Sequence, residues 1–153
     1  MRHIYFSFIS VSFACSGQPE PVENPYDLPG IWSKATLIES FTQAECNENM
    51  FELTATAPRA LVNTSEDSLV ITYPNAHFRC DQTVQGFVKQ SDDGYAILIQ
   101  PVDMDPIMAA KCDCGYTLEV TLPKLKSNTI RVFHRGDNFG GESTIREIKV
   151  VSE

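Results

Sequence analysis

Cysteine and histidine are the residue types whose spacing in this 153-residue sequence could support chemistry. Cys80, Cys112 and Cys114, together with His77, form a His-x-x-Cys and a Cys-x-Cys arrangement. Thiolate and imidazole ligands of this kind suit Zn²⁺ or Cu(I). Further soft or imidazole donors are Met104, Met108 and His134. The same thiols form disulfides in an oxidising compartment, so this set has two interpretations, metal handling and structural bridging.

The number of cysteines favours bridging. The chain has five, and an odd number in an exported protein leaves one cysteine that needs another fate. Lipidation of Cys15 supplies that fate, and Cys46, Cys80, Cys112 and Cys114 then remain for two disulfides. A bond between Cys112 and Cys114 would close a strained small ring, so each is expected to pair with Cys46 or Cys80. Two long-range connectivities stay open.

The N-terminus has the features of an export signal followed by a tether. Residues 1–14 start with a positive charge at Arg2 and continue as an apolar stretch without charge. Ser12-Phe13-Ala14-Cys15 is similar to the lipobox of bacterial lipoproteins, which predicts anchoring to the cell membrane or outer membrane through a lipid on Cys15. Cleavage near Ala14 without lipidation would instead give a soluble secreted or periplasmic protein. Residues 15–30 are rich in proline and glutamate, which predicts an extended tether.

Composition and charge limit the function classes. The chain is 42% hydrophobic, 10% aromatic and 21% charged, which is typical of a globular domain rather than a disordered tail. Its formal net charge of -8 repels polyanions, and no dense basic stripe counteracts that field. Nucleic acid is therefore excluded as a partner.

The hydrophobic pattern of residues 31–153 predicts a single all-β domain. Short alternating runs are separated by turn residues, and about eight strands favour a two-sheet antiparallel β-sandwich of immunoglobulin-like architecture, stapled by disulfides. Pro74-Asn75 is expected to end a strand, and Asp93-Gly94 predicts a hairpin. The continuous apolar run Ala96 to Ile99 predicts a strand that lies between two layers. Alternation from Cys112 to Leu122 places both Cys112 and Cys114 on the inward face.

Three sequence blocks in the C-terminal half carry a resemblance to a known group. They are His77-Phe78-Arg79-Cys80, Gln100-Pro101-Val102-Asp103-Met104 and Cys112-Asp113-Cys114-Gly115-Tyr116-Thr117-Leu118. Together they resemble a family of uncharacterised small bacterial lipoproteins. The resemblance implies export and a β domain, and it transfers no catalytic residue and no cofactor.

Two function classes follow from these observations. No nucleophile elbow, zinc-protease helix or phosphate-binding glycine loop occurs, so no enzyme activity is assigned. The favoured hypothesis is a non-catalytic envelope module that binds a protein or glycan through one end of the domain, with the candidate residues Phe133, Arg135, Asp137, Asn138 and Phe139. The alternative is a periplasmic metal-handling protein that uses His77, Cys80, Cys112 and Cys114.

Overall fold

The computed structural model describes residues 28–46, 57–102, 112–126, 129–137 and 143–152, with only the backbone of Asp137 and Ser143. One turn of 3-10 helix, Gly30–Trp32, precedes the strands. The nine strands of these ranges are β1 (Thr36–Leu37), β2 (Phe41–Gln43), β3 (Arg59–Thr64), β4 (Ser68–Arg79), β5 (Val84–Ser91), β6 (Gly94–Pro101), β7 (Asp113–Pro123), β8 (Thr129–Asp137) and β9 (Ser143–Ser152). Across these ranges, no helix has the length and hydropathy that a bilayer crossing requires.

The strands form one curled, half-barrel sheet in the order β1-β5-β6-β8-β9-β3-β4-β7-β2. Neighbouring strands are antiparallel except for the parallel pairs β6–β8 and β3–β9. The all-β, disulfide-stapled class is confirmed, whereas the two-sheet antiparallel sandwich of about eight strands is wrong. The two parallel pairs join groups of strands into one sheet, which covers its own core by curling. Alternating hydrophobicity specifies which face of a strand is buried but does not specify what covers that face.

A short segment, Thr36–Gln43, bridges the two edges of the curled sheet. Its first part, β1, pairs with β5 at one edge, and its last part, β2, pairs with β7 at the other. Between them, Ile38 is buried in the main core, and its backbone N–H donates to the Gly86 carbonyl at 2.9 Å. Gly86 permits this close approach because a Cβ there would lie 2.6 Å from Cδ2 of Phe41.

Strand β4 runs through Pro74-Asn75, so the expectation that this dipeptide ends a strand is wrong. Tyr73 lies opposite Leu118 of β7 and Ala76 lies opposite Tyr116, so two residues of β4 face one residue of β7 in a β-bulge. Asn75 has a φ of +54°, a left-handed conformation that asparagine tolerates. The extra residue shifts the buried positions from odd to even numbers, and both parts of β4 face the main core. The buried residues are Leu69, Ile71, Tyr73, Ala76 and Phe78.

Strand β7 has the alternation that its sequence predicts over most of its length. The residues that face the core are Cys114, Tyr116, Leu118, Val120 and Leu122. The residues between them that are exposed are Thr117, Glu119 and Thr121. These five core-facing residues all pack into the main cluster, so β7 and β4 present a common apolar face.

The hairpin that Asp93-Gly94 predicts is confirmed. Strands β5 and β6 pair from Val84 opposite Pro101 to Ser91 opposite Gly94, which leaves a two-residue turn. Gly94 has a φ of +141°, and an L side chain is strained in this conformation. The turn therefore depends on glycine at the first position of β6.

Strand β6 is buried on both faces, in agreement with its apolar run. Ile97 and Ile99 face the main core, whereas Leu98 faces outward into a second cluster beneath Trp32. Phe87 is the third buried member of this second cluster. Four partly buried residues pack against the cluster, namely Leu28, Ala35, Ala96 and Phe133. The second layer over β6 is therefore formed by the chain before β1 and not by another sheet.

Removal of the Trp32 ring tests this second layer. We expect Trp32→Ala to lower the free energy of unfolding by about 3–5 kcal/mol, because the indole is 3% exposed and its loss uncovers Leu98 and Phe87. The matched control is Ile31→Ala, since Ile31 is 75% exposed, and it should change stability by less than about 0.5 kcal/mol. Chemical denaturation measures both, and equal effects of the two substitutions would contradict the packing of Trp32 on Leu98 and Phe87.

Candidate functional site

Both disulfides form at one end of the β2–β7–β4 part of the sheet. Cys46 is bonded to Cys114, with their Cα atoms 5.5 Å apart, and Cys80 is bonded to Cys112, with their Cα atoms 5.7 Å apart. This is one of the two connectivities that the sequence leaves open. Each bridge crosses a boundary between neighbouring strands, so both fasten the same end of the sheet.

The Cys80–Cys112 bridge extends the ladder between β4 and β7. Arg79 lies opposite Asp113 at the end of this ladder, and the Cys80 N–H donates to the Cys112 carbonyl at 3.2 Å. Cys112 is exposed, so the expectation that it shares the inward face down to Leu122 is wrong. The reason is that Cys112 precedes the first residue of β7, and the alternation of a strand does not extend to residues outside it.

The Cys46–Cys114 bridge joins β7 to the chain that follows β2. The Ala44 N–H donates to the Thr117 carbonyl at 3.0 Å, which continues the antiparallel pairing beyond β2. Two residues later the chain reaches Cys46, which is half-buried beside the fully buried Cys114. The position of the Cys46–Cys114 bridge is thus set by the register between β2 and β7.

Three sulfur atoms from the two bridges lie close together. The Sγ atoms of Cys46, Cys80 and Cys114 are all within 4.8 Å of one another, because β7 lies between the other two chain segments. Three thiolates on one Zn²⁺ at about 2.3 Å would be roughly 3.8–4.0 Å apart, so the reduced cysteines need only small displacements to share a metal ion. This group differs from the set expected from the sequence, since it contains Cys46 and lacks His77 and Cys112. His77 is exposed on β4.

The backbone beside Cys80 is held by side-chain hydrogen bonds. The Tyr116 hydroxyl donates to the Cys80 carbonyl at 3.0 Å and reaches the Arg79 carbonyl at 3.3 Å, while the Arg79 N–H donates to Oε1 of Gln82 at 3.0 Å. Burial raises the pKa of Tyr116, and the charge of Asp81 raises it further. Tyr116 therefore remains a protonated donor and fixes the turn that positions the Cys80 sulfur.

A buried histidine stacks on Phe78, which is the register partner of Cys114. The His134 ring, which is 3% exposed, stacks on Phe78 with ring centroids 4.4 Å apart, and Phe78 is in turn opposite Cys114 in the β4–β7 register. Nδ1 of His134 lies 3.3 Å from the Tyr73 hydroxyl. The imidazole is thus part of the main core at the end of the sheet where the disulfides lie.

Burial keeps this imidazole neutral. It lowers the pKa of His134 to about 3, with smaller contributions in the same direction from the charges of Arg146 and His77. Burial also raises the pKa of Tyr73, against the opposing charge and hydrogen bond of Arg146. At neutral pH the pair is therefore an uncharged imidazole and an uncharged phenol. From the sequence, His134 is expected only as an additional metal donor. Its spacing of two and four residues from Val132 and Ile130 places it on the same face of the strand as these apolar residues, which indicates a core position.

The residues proposed as a partner-binding face are packed rather than projecting where the structure describes them. Phe133 is half-buried, with its ring centroid 5.3 Å from that of Trp32. Arg135 is 9% exposed, and its Nη1 donates to Oε1 of the fully buried Gln100 at 3.2 Å. The backbone of Asp137 ends β8. Asn138, Phe139, Cys15, Met104 and Met108 lie outside the described residues.

The end of the sheet that carries the disulfides thus contains four cysteine sulfur atoms and a neutral histidine. Bridged cysteines staple strands, while reduced cysteines are nucleophiles and soft-metal ligands. No family model, curated protein or solved structure matches the chain.

Acid should destabilise the protein through His134. Its pKa is about 3 in the folded chain and about 6.5 in the unfolded chain, so between these values only the unfolded state takes up this proton. The contribution of neutral His134 to the free energy of unfolding is fully present above about pH 6.5. It is lost as the pH falls toward about 3, by up to about 1.4 kcal/mol per pH unit.

The matched variant is His134→Phe, which keeps a ring beside Phe78 and has no titrating group. We expect the free energy of unfolding of the variant, measured by denaturant titration from about pH 7 to about pH 4, to fall less steeply than that of the parent chain. Carboxylates contribute equally to both proteins, so the difference between the slopes isolates the histidine. Parallel slopes would show that His134 is not the group responsible.

Proposed function

We propose that this protein is an exported, lipid-anchored module of the bacterial cell envelope with a non-catalytic binding or structural role. The observation that carries the proposal is the use of Cys46, Cys80, Cys112 and Cys114 in two disulfides, which leaves Cys15 as the odd cysteine. A lipobox-like sequence precedes Cys15, so lipidation there accounts for every thiol in the chain. The resemblance to small bacterial lipoproteins agrees with this interpretation.

The disulfides also support a location outside the reducing cytosol. Two bridges at one end of a small β domain are typical of exported proteins, where thiols are not kept reduced. The prolines of residues 15–30 would hold the domain away from the bilayer surface. In this arrangement Cys15 attaches the protein, and the stapled sheet faces the aqueous compartment.

A protein or glycan partner is proposed at the connection between β8 and β9. Loops at the end of a rigid sheet are common binding sites, and the connection contains Asn138 and Phe139. Phe133 and Arg135 support this connection from within β8, because their contacts with Trp32 and Gln100 hold the strand. We therefore propose partner contact through Asp137, Asn138 and Phe139 in preference to the two packed residues.

The anchor is tested by Cys15→Ser, with Gln18→Ala as the matched control. We expect the parent and Gln18→Ala chains in the membrane fraction, with an intact mass under non-reducing conditions that includes acyl groups on Cys15 and two disulfides. The Cys15→Ser chain should lack the acyl mass and leave the membrane fraction, because serine cannot form the thioether to lipid. A parent protein that begins after Cys15, or that carries no acyl mass, would refute anchoring.

Metal handling is the second candidate function, and one observation favours it. Three sulfur atoms lie within 4.8 Å of one another, a spacing that suits Zn²⁺ or Cu(I) once the bridges are reduced. The proposed ligands are Cys46, Cys80 and Cys114. His77 and Cys112, the other members of the set expected from the sequence, are both exposed and lie outside this group.

Titration of the reduced full chain with Zn²⁺ or Cu(I) tests this candidate. With Cys15→Ser in every protein, we expect one equivalent to bind to the reduced chain and to its His77→Ala variant, and none to bind to the oxidised chain, because only free thiolates are ligands. Cys46→Ser should lose stoichiometric binding because it removes one of three ligands. Circular dichroism at each step checks that the β-sheet persists. Binding that requires His77 but not Cys46 would show that the ligand set is the one expected from the sequence.

A further inference from the structure

The two disulfides differ in how accessible they are to a thiol in solution. Cys112 is exposed, and Cys80 is half-buried beside it. Cys114 is fully buried and is bonded to the half-buried Cys46. A thiolate attacks a disulfide along an accessible path to one of its sulfur atoms, so the Cys80–Cys112 bridge is the entry point for a thiol from solution.

The two disulfides are also close enough to react with each other. The Cys80 sulfur lies within 4.8 Å of both sulfur atoms of the Cys46–Cys114 bridge. Once the bond to Cys112 is broken, the side chain of Cys80 is free to rotate about χ1 and is already next to the second bridge. The backbone of Cys80 meanwhile stays in place, because its carbonyl accepts a hydrogen bond from Tyr116.

We propose that the two bridges form an intramolecular thiol–disulfide relay, in which Cys112 receives an external thiol and Cys80 transfers the exchange to the buried bridge. The relay is a redox property of the folded domain and does not depend on the anchor at Cys15. It requires one co-reactant, a low-molecular-weight thiol or a dithiol protein.

The first step breaks the exposed bridge. An external thiolate attacks Sγ of Cys112, a mixed disulfide forms between the two, and the electron pair of the broken bond leaves with Cys80 as a thiolate. One disulfide is consumed and one is formed, so no other oxidant or reductant is needed.

The second step transfers the exchange inward. The Cys80 thiolate attacks Sγ of Cys114, a Cys80–Cys114 bond forms, and Cys46 leaves as a thiolate. Cys46 is the better leaving group because it is half-buried, whereas burial in apolar surroundings disfavours a thiolate on Cys114. The new bond still joins β4 to β7, so the long ladder remains stapled while the chain after β2 is released.

The direction of the relay has a structural consequence. The bridge that is lost, Cys46–Cys114, is the bridge that holds the end of the Thr36–Gln43 segment against β7. Exchange at the exposed Cys112 therefore releases the covalent link at one edge of the curled sheet. A thiol that never enters the core can in this way loosen the contact between β2 and β7.

Exchange with reduced glutathione tests the relay in the oxidised full chain carrying Cys15→Ser, which removes the unrelated thiol. After brief exposure, acid quenching and alkylation of free thiols, non-reducing tryptic peptides report the bonds. Trypsin separates Cys46 from Cys80 at Arg59 and Arg79, and fragmentation on either side of Asp113 distinguishes Cys112 from Cys114.

The expected product has glutathione on Cys112, a bond between Cys80 and Cys114, and the alkyl label on Cys46. The alternative product, with the label on Cys80 and the Cys46–Cys114 bond intact, would overturn the relay. The result does not depend on whether Cys15 is lipidated, because the chain used for the exchange carries Cys15→Ser.

Rates give a second measurement. In the variant Cys80→Ser with Cys112→Ser, the Cys46–Cys114 bridge can react only by direct attack from solution. We expect glutathione to open it at least about tenfold more slowly than in the chain with both bridges. Equal rates of opening in the two proteins would show that the buried bridge is attacked directly and would overturn the relay.

Discussion

The antiparallel pairing of β4 with β7 is the contact on which the rest of the structure depends. It runs from Ser68 opposite Pro123 to Arg79 opposite Asp113, and buried residues of these two strands make up more than half of the main core in the described chain. The bulge in β4 keeps the apolar face continuous along this length. A slip of one residue would turn that face toward solvent and separate Cys80 from its partner. Core burial and disulfide pairing are therefore two results of one register.

Much of this register can be predicted from the sequence, and the failures have identifiable causes. The alternation from Tyr116 to Leu122 and the hairpin at Asp93-Gly94 depend on neighbouring residues, so local patterns suffice. The single curled sheet could not be predicted, because alternation does not reveal which strand lies beside which or that two pairs are parallel. Pro74-Asn75 has the composition of a strand end, yet tertiary pairing on both sides makes it a bulge. For the site, sequence arithmetic identified the four bridging cysteines, but the choice between connectivities required the positions of β2 and β4 on either side of β7.

The chain that enters the domain is held at several places in succession. Trp32 covers the outer face of β6, and the Ile31 carbonyl accepts a hydrogen bond from Nζ of Lys89 at 2.8 Å. The following segment, Thr36–Gln43, then pairs with β5 and β7 at opposite edges of the sheet. In the proposed anchored state, the tether from Cys15 thus leads into a segment that also bridges the sheet edges. In that state, the proposed tether and the segment that bridges the sheet edges would be neighbours along the chain.

The disulfides and the buried histidine have opposite effects on the free energy of unfolding in acid. A neutral His134 lowers the stability of the folded chain in acid, since protonation then favours the unfolded state. The bridges span 68 and 32 residues and restrict the unfolded chain, each by about 4 kcal/mol when considered alone. Because the shorter span lies within the longer one, the Cys80–Cys112 bridge shortens the loop that the Cys46–Cys114 bridge closes, and the total stabilisation is smaller than the sum of the two separate values. Even so, the bridges are large enough to offset several pH units of histidine protonation, at about 1.4 kcal/mol per unit. Stapling at this end of the sheet therefore compensates for the acid sensitivity that an uncharged imidazole brings to the core.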